Sequence, residues 1–222
     1  MKKIRWILIP LLALLLFIPS YVKTIQQGRL LSGVTIVLDS GHGGKDLGAS
    51  EQGVDEAPLN LAIVKKLETK LKTLGCTVIL TRKDENDLAS ATATNRKKED
   101  MNKRIAIIND EKNDLFISIH MNKYQSESVK GFHVFYKDGT SKLLASYIQE
   151  NANVALEQDK MITKGNFFIL NESRIQGVLI ECGFLSNANE RGQLKSRSYH
   201  KKLATVISDG IQGYFQALSA PL

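Results

Sequence analysis

Residues 34 to 44 read Val34-Thr35-Ile36-Val37-Leu38-Asp39-Ser40-Gly41-His42-Gly43-Gly44, an apolar, β-branched run that enters a glycine-rich turn carrying one histidine. Such residues suit a pleated, packed strand, so Val34 to Leu38 is expected to be a buried strand. The glycines let the chain turn sharply out of it. Beyond the turn, Leu59, Ile63, Leu67, Leu71 and Leu74 recur at spacings of four, four, four and three, which is one face of a helix. Pro58 fits the first turn of that helix and Gly75 its end. A strand, a turn and a helix folded back on the strand is the unit from which layered α/β domains are made.

The same alternation continues outward. Thr77 to Thr81, Leu115 to His120, Gly131 to Tyr136 and Gly177 to Glu181 read as further strands, and Asn166 to Leu170 as a short extended segment. Ser141 to Leu156 is helical by pattern. A closing helix from Tyr199 to Leu218 carries Leu203, Val206, Ile207, Ile211, Tyr214 and Phe215 on one side. Between Arg82 and Arg104 the chain is polar, and the run Arg96-Lys97-Lys98-Glu99-Asp100 reads as a solvated helix face.

With 222 residues, 43% of them hydrophobic and 24% charged, the chain can bury one sizeable core. No collagen-like period, low-complexity tract or solenoid repeat is present. Trp6 to Val22, WILIPLLALLLFIPSYV, follows Lys2, Lys3 and Arg5 and is laid out as an N-terminal export segment. No good small-x-small cleavage site follows it, so an uncleaved membrane anchor is the preferred reading and a cleaved signal the alternative. Residues 1–22 are thus assigned to the membrane, 23–32 to a polar linker and 33–218 to one domain outside the cytoplasm. The formal charge of +7 falls to +4 without the three basic residues of the leader. No nucleic-acid-reading motif accompanies that charge, and no nucleic-acid partner is expected. Cys76 and Cys182 lie in apolar surroundings and read as buried, unbridged thiols.

Three strand ends carry residues with chemistry. His42 lies in the glycine turn, His120 ends LFISI with Ser118 on the same face, and Glu181 ends the apolar run GVLI. Glu56 stands just before the first helix. Two imidazoles and a carboxylate on rigid supports are what a borderline cation such as zinc requires. Each residue also has an ordinary explanation: a turn histidine, a hydrogen-bonded strand-end histidine, a salt-bridged glutamate, and an acidic group favoured by a helix dipole. Glu181 is the hardest to dismiss, because a carboxylate emerging from an apolar strand is costly without compensation.

Taken in order, these segments resemble the zinc-dependent N-acetylmuramoyl-L-alanine amidases that cut bacterial peptidoglycan. Four motifs carry the likeness: Val37-Leu38-Asp39-Ser40-Gly41-His42-Gly43-Gly44, Glu56 with Asn60-Leu61, Ser118-Ile119-His120-Met121-Asn122, and Ile180-Glu181-Cys182-Gly183-Phe184-Leu185-Ser186-Asn187. Ser40 replaces the family's proline, and Ala57 its usual lysine. The resemblance implies a single α/β domain with a mixed sheet of about six strands and helices on both faces. It further implies Zn2+ held by His42, Glu56 and His120, Glu181 as the catalytic proton carrier, and peptidoglycan strands with stem peptides as substrate. Within the family, the short chain, the N-terminal segment and the stretch from Thr81 to Arg104 are most similar to the germination-specific amidases of spore formers, which implies muramic-lactam formation in the spore cortex. A non-catalytic wall-binding protein and a zinc hydrolase of another wall amide are the rival readings.

Overall fold

The computed structural model describes residues 30–220; the hydrophobic segment and most of the linker lie outside the described residues. Strand β1 (Thr35–Ser40) leads through the glycine turn to a small hairpin of β2 (Ser50–Glu51) and β3 (Val54–Asp55), then to helix α1 (Glu56–Thr73) and strand β4 (Thr77–Leu80). Helix α2 (Arg96–Ile108), β5 (Leu115–Asn122), β6 (His133–Tyr136) and α3 (Gly139–Leu156) follow. The chain ends with β7 (Thr163–Lys164), α4 (Phe168–Glu172), β8 (Gln176–Phe184), α5 (Ala188–Leu194) and α6 (Arg197–Ser219). Among the described residues no helix is long and apolar enough to cross a membrane.

Six strands form one sheet in the order β4-β1-β5-β8-β6-β7. The first four run parallel, and β6 lies antiparallel to β8, so the sheet is mixed as the family resemblance implied. Alternate residues divide it into two faces. On one, Ile36, Leu38, Leu115, Ile117, Ile119, Val178 and Ile180 pack against Ile63, Leu67 and Leu71 of α1, Leu144 and Ile148 of α3, and Leu203, Ile207 and Ile211 of α6. Complete burial of each such side chain contributes roughly 1.5–3 kcal/mol, which makes this layer the main source of stability. A smaller cluster on the other face joins Val37, Phe116 and Leu179 to Ile108 of α2 and to Ile169 and Leu170 of α4. Helices therefore cover both faces, unequally.

The strands run further than their apolar residues. β1 continues through Asp39 and Ser40, β5 through Met121 and Asn122, and β8 to Phe184. Polar residues continue the ladder because each is paired there, as where Asp39 stands opposite Ser118. Helix α1 starts at Glu56, two residues ahead of Pro58; a proline in the first turn loses no intrahelical bond because the N–H there has no partner within the helix. The extended segment expected over Asn166 to Leu170 is corrected: from Phe168 the chain forms the five-residue helix α4, burying Ile169 and Leu170. So short a helix has too few residues for periodicity to register. Both cysteines are buried and unbridged, as read.

Candidate metal centre

The parallel strands β1, β5 and β8 end at the same edge of the sheet, and three of the chemical residues arrive there on them or just beyond. His42 follows β1 by two residues. His120 and Glu181 are direct neighbours across the β5–β8 ladder. Glu56 comes from elsewhere: the β2–β3 hairpin turns the chain back so that the first residue of α1 points into the edge, 3% exposed.

His42, Glu56 and His120 converge, with one potential ligand atom from each lying within 4.8 Å of the others. Glu56 Oε2 is 3.3 Å from His42 Nε2, and its Oε1 is 2.8 Å from His120 Nδ1. The imidazoles meet edge to face, their centroids 5.0 Å apart. Backbone and amide donors fix the carboxylate: Ala49 N–H to Oε2 at 2.8 Å, Met121 N–H to Oε1 at 3.0 Å and Asn60 Nδ2 to Oε1 at 3.1 Å. Asn60 also donates to the Gly41 carbonyl at 3.1 Å, tying α1 to the turn. His42 Nδ1 lies 3.0 Å from Asp46 Oδ1, an arrangement that places the proton on Nδ1 and leaves Nε2 directed at Glu56.

Two glycines are dictated by this crowding. A Cβ at Gly41 would overlap the His120 ring, and one at Gly48, where φ is +71°, would overlap the Glu56 carboxylate and the His42 ring. His42 itself has φ +61°, a left-handed conformation unfavourable for a side chain by roughly 1–2 kcal/mol.

Electrostatics separate the two glutamates. Burial alone would raise the Glu56 pKa, but the hydrogen bond and charge of His120, with the charge of His42, bring it down to about 2. Burial likewise opposes the charged form of His120, and Glu56 overrides it, so the pKa of that imidazole is raised. Glu181 has no such support. Burial pushes its carboxyl up to about 7, against the lowering influence of His120 and with a further raising contribution from Glu56. Its Oε2 is buried without a hydrogen-bond partner. A carboxyl held near neutrality in a protein edge suits a group that takes up and gives back a proton.

Two imidazoles and a carboxylate match the donor chemistry of three-ligand catalytic zinc sites, and the unpartnered Glu181 oxygen beside them fits a place for reacting water or substrate. The four residues expected from the sequence are thus brought to one edge. His133 also reaches it, opposite Glu181 in the β6–β8 ladder, but its Nε2 bonds Thr163 Oγ1 at 2.9 Å. His200 is buried and bonds the Leu194 carbonyl, outside the donor group. Asp46, Arg82 and Arg104 were not anticipated from the sequence. The one available signal was an Asp four residues after His42; nothing in a polar stretch announces which arginines turn inward.

Fold and site together define an α/β domain with a candidate His/Glu/His metal site, and the family model described as N-acetylmuramoyl-L-alanine amidase matches residues 36–213. The chain belongs to this family. It is 34% identical to the germination-specific N-acetylmuramoyl-L-alanine amidase of Bacillus subtilis (strain 168), across 99% of this chain and 98% of that one. Its structure resembles that of the CwlD amidase from Clostridioides difficile in complex with the GerS lipoprotein, with a TM-score of 0.79 and 36% identity over 83% of this chain and 99% of that one. The catalytic domain of CwlV, an N-acetylmuramoyl-L-alanine amidase from Bacillus (Paenibacillus) polymyxa var. colistinus, superposes with a TM-score of 0.73 at 32% identity, covering 82% of this chain and 98% of that one.

Proposed function

We propose that this amidase hydrolyses the amide joining the lactyl group of N-acetylmuramic acid to the L-alanine of the stem peptide, using Zn2+ held by His42, Glu56 and His120. The observation that carries the reading is the convergence of those three side chains beside a buried, unpartnered Glu181 oxygen. When bound, the ion supplies Lewis-acid chemistry to the scissile carbonyl and to water. Glu181, whose Oε2 is buried beside the three donors without a hydrogen-bond partner, takes the water proton and returns it to the departing alanine nitrogen. Glu56, anchored by three N–H donors, stays anionic throughout. Asp46 holds the proton on His42 Nδ1, which keeps Nε2 free as a donor atom. The same donor set accepts other divalent ions, so the identity of the metal is part of the proposal.

Similarity to the germination-specific relative along nearly its full length supports action on the spore cortex, in the formation of muramic lactam. Export through the N-terminal segment and a lipoprotein partner like the one present with the Clostridioides difficile relative complete the proposal. Metal analysis and a muropeptide digest test its centre. Wild type and Glu181→Gln should carry one equivalent of zinc and His42→Ala and His120→Ala much less, while wild type alone frees the amino terminus of L-alanine. Cleavage at another amide would point to a different wall hydrolase, and metal-free, inactive wild type to a wall-binding protein.

A further inference from the structure

The polar stretch from Arg82 to Arg104 contributes no residue to the donor set, yet both of its ends turn inward onto the turn that carries His42. Arg104, 1% exposed, donates through Nη1 to the Ser40 carbonyl at 2.6 Å and through Nη2 to the His42 carbonyl at 2.5 Å. Its charge is met by Asp39 at 2.8 Å and Asp100 at 2.8 Å. Arg82, 3% exposed, donates through Nε to Ser40 O at 2.9 Å and through Nη2 to Gly41 O at 3.1 Å and Ala57 O at 2.8 Å. Three consecutive carbonyls, those of Ser40, Gly41 and His42, are therefore each bound by a guanidinium. Ser118 and Thr81 hydroxyls hold Asp39 in turn, at 2.6 and 2.8 Å.

Burying two guanidinium groups in one small volume is an expensive way to gain stability, since desolvation cancels much of the attraction. What the arrangement accomplishes is geometric. A planar fork binds several carbonyls at fixed directions, which a lysine's single ammonium does not do. The backbone it grips includes the left-handed His42, a conformation that persists only where its surroundings impose it. We infer that Arg104, assisted by Arg82, is a positioning residue that locks the Ser40–His42 carbonyls and so aims the His42 imidazole at Glu56, making helix α2 a determinant of metal affinity. This rests on the metal-site reading proposed above.

The test uses the full-length chain and titration with Zn2+ and Co2+ against a chromophoric chelator. Arg104→Lys should weaken affinity by about 10–100-fold, as loss of groups that orient ligands does elsewhere, and should alter the visible Co2+ spectrum and lower kcat more than it raises KM. Gln149→Ala is the control for a purely structural effect. Gln149 is buried in α3, bonding Val134 and Phe132, and its loss should lower the Tm while leaving affinity and spectrum unchanged. Asp100→Asn, which keeps the side chain's shape but removes one charge from Arg104, should weaken affinity in the same direction by less. It carries the decision where Arg104→Lys does not fold. Wild-type affinity and spectrum in Arg104→Lys, or in Asp100→Asn if that variant decides, overturn the inference alone. A wild-type chain that binds neither ion overturns the metal site and this inference with it.

Discussion

Glu181→Gln should make the metal-free protein more stable at alkaline pH while destroying its proposed activity. The folded-state pKa of Glu181, about 7, exceeds the ordinary 4.5, so between those values the folded chain binds the proton more tightly than the unfolded chain does. Folding stability contributed by this group is therefore greatest below 4.5 and falls as pH rises through 7. At about 1.36 kcal/mol per pKa unit, the gap corresponds to roughly 3 kcal/mol lost by pH 8 in wild type. Glutamine carries no charge to desolvate and escapes that loss. Urea denaturation in the presence of a chelator, at pH 5 and pH 8, measures it. The variant's advantage should grow by roughly 2–3 kcal/mol between the two, about 4–12 °C in Tm for a domain of this size. Comparing the two pH values cancels any cost of the glutamine amide itself, which is the same in both. A difference that stays flat with pH, or that grows toward acid, refutes the account of Glu181 as a carboxylate whose charged form is resisted by burial. Adding Zn2+ should shrink the pH dependence, because a nearby cation favours the ionised carboxylate.

Gly41→Ala forces a methyl group into the His120 ring and should lower zinc affinity and hydrolysis at least tenfold, measured by chelator competition and alanine release; unchanged values would mean the ring has room to move. Gly210→Ala places a Cβ 2.6 Å from the Ile148 backbone where α6 crosses α3, and should cost about 1–3 kcal/mol in urea unfolding with specific activity of the folded fraction preserved. Asp46→Asn, which removes the anionic partner of His42 Nδ1, should weaken metal binding about 10–100-fold without changing the protein's far-ultraviolet circular dichroism. Glu56 contributes stability above its ordinary 4.5 that is lost as pH falls toward about 2, so metal-free protein should lose stability across that interval, and Glu56→Gln should flatten this acid limb.

The layered α/β plan was legible because buried strands and long amphipathic helices each leave a period in the sequence, as in Leu59 to Leu74 and Leu203 to Ile211. The short elements were not. The β2–β3 hairpin and β7 have two residues per strand, and α4 and α5 have five and seven residues, lengths at which period-based reading has little to count. Among the site residues, His42 and His120 stood out through glycine flanks and a strand end, whereas Glu56 reaches the edge only by way of the unforeseen hairpin. Family likeness supplied the role expected of it, and the geometry brings it within reach of both imidazoles. Arg104 illustrates the opposite limit: in the sequence it ends a polar stretch of mixed charge, and in the fold it is 1% exposed, because its partners Asp39 and Ser40 lie more than sixty positions away in the chain.

His120 and Glu181 face each other across one rung of a parallel ladder, and adjacent strands sit roughly 4.8 Å apart whatever the loops around them do. The spacing between the backbone positions that carry this imidazole and this carboxyl is thus inherited from the weave of the sheet itself. The exposed segment 123–130, which follows β5, can therefore lengthen or shorten without detuning that pair, so variation at this surface and preservation of the paired side chains are separable in this architecture.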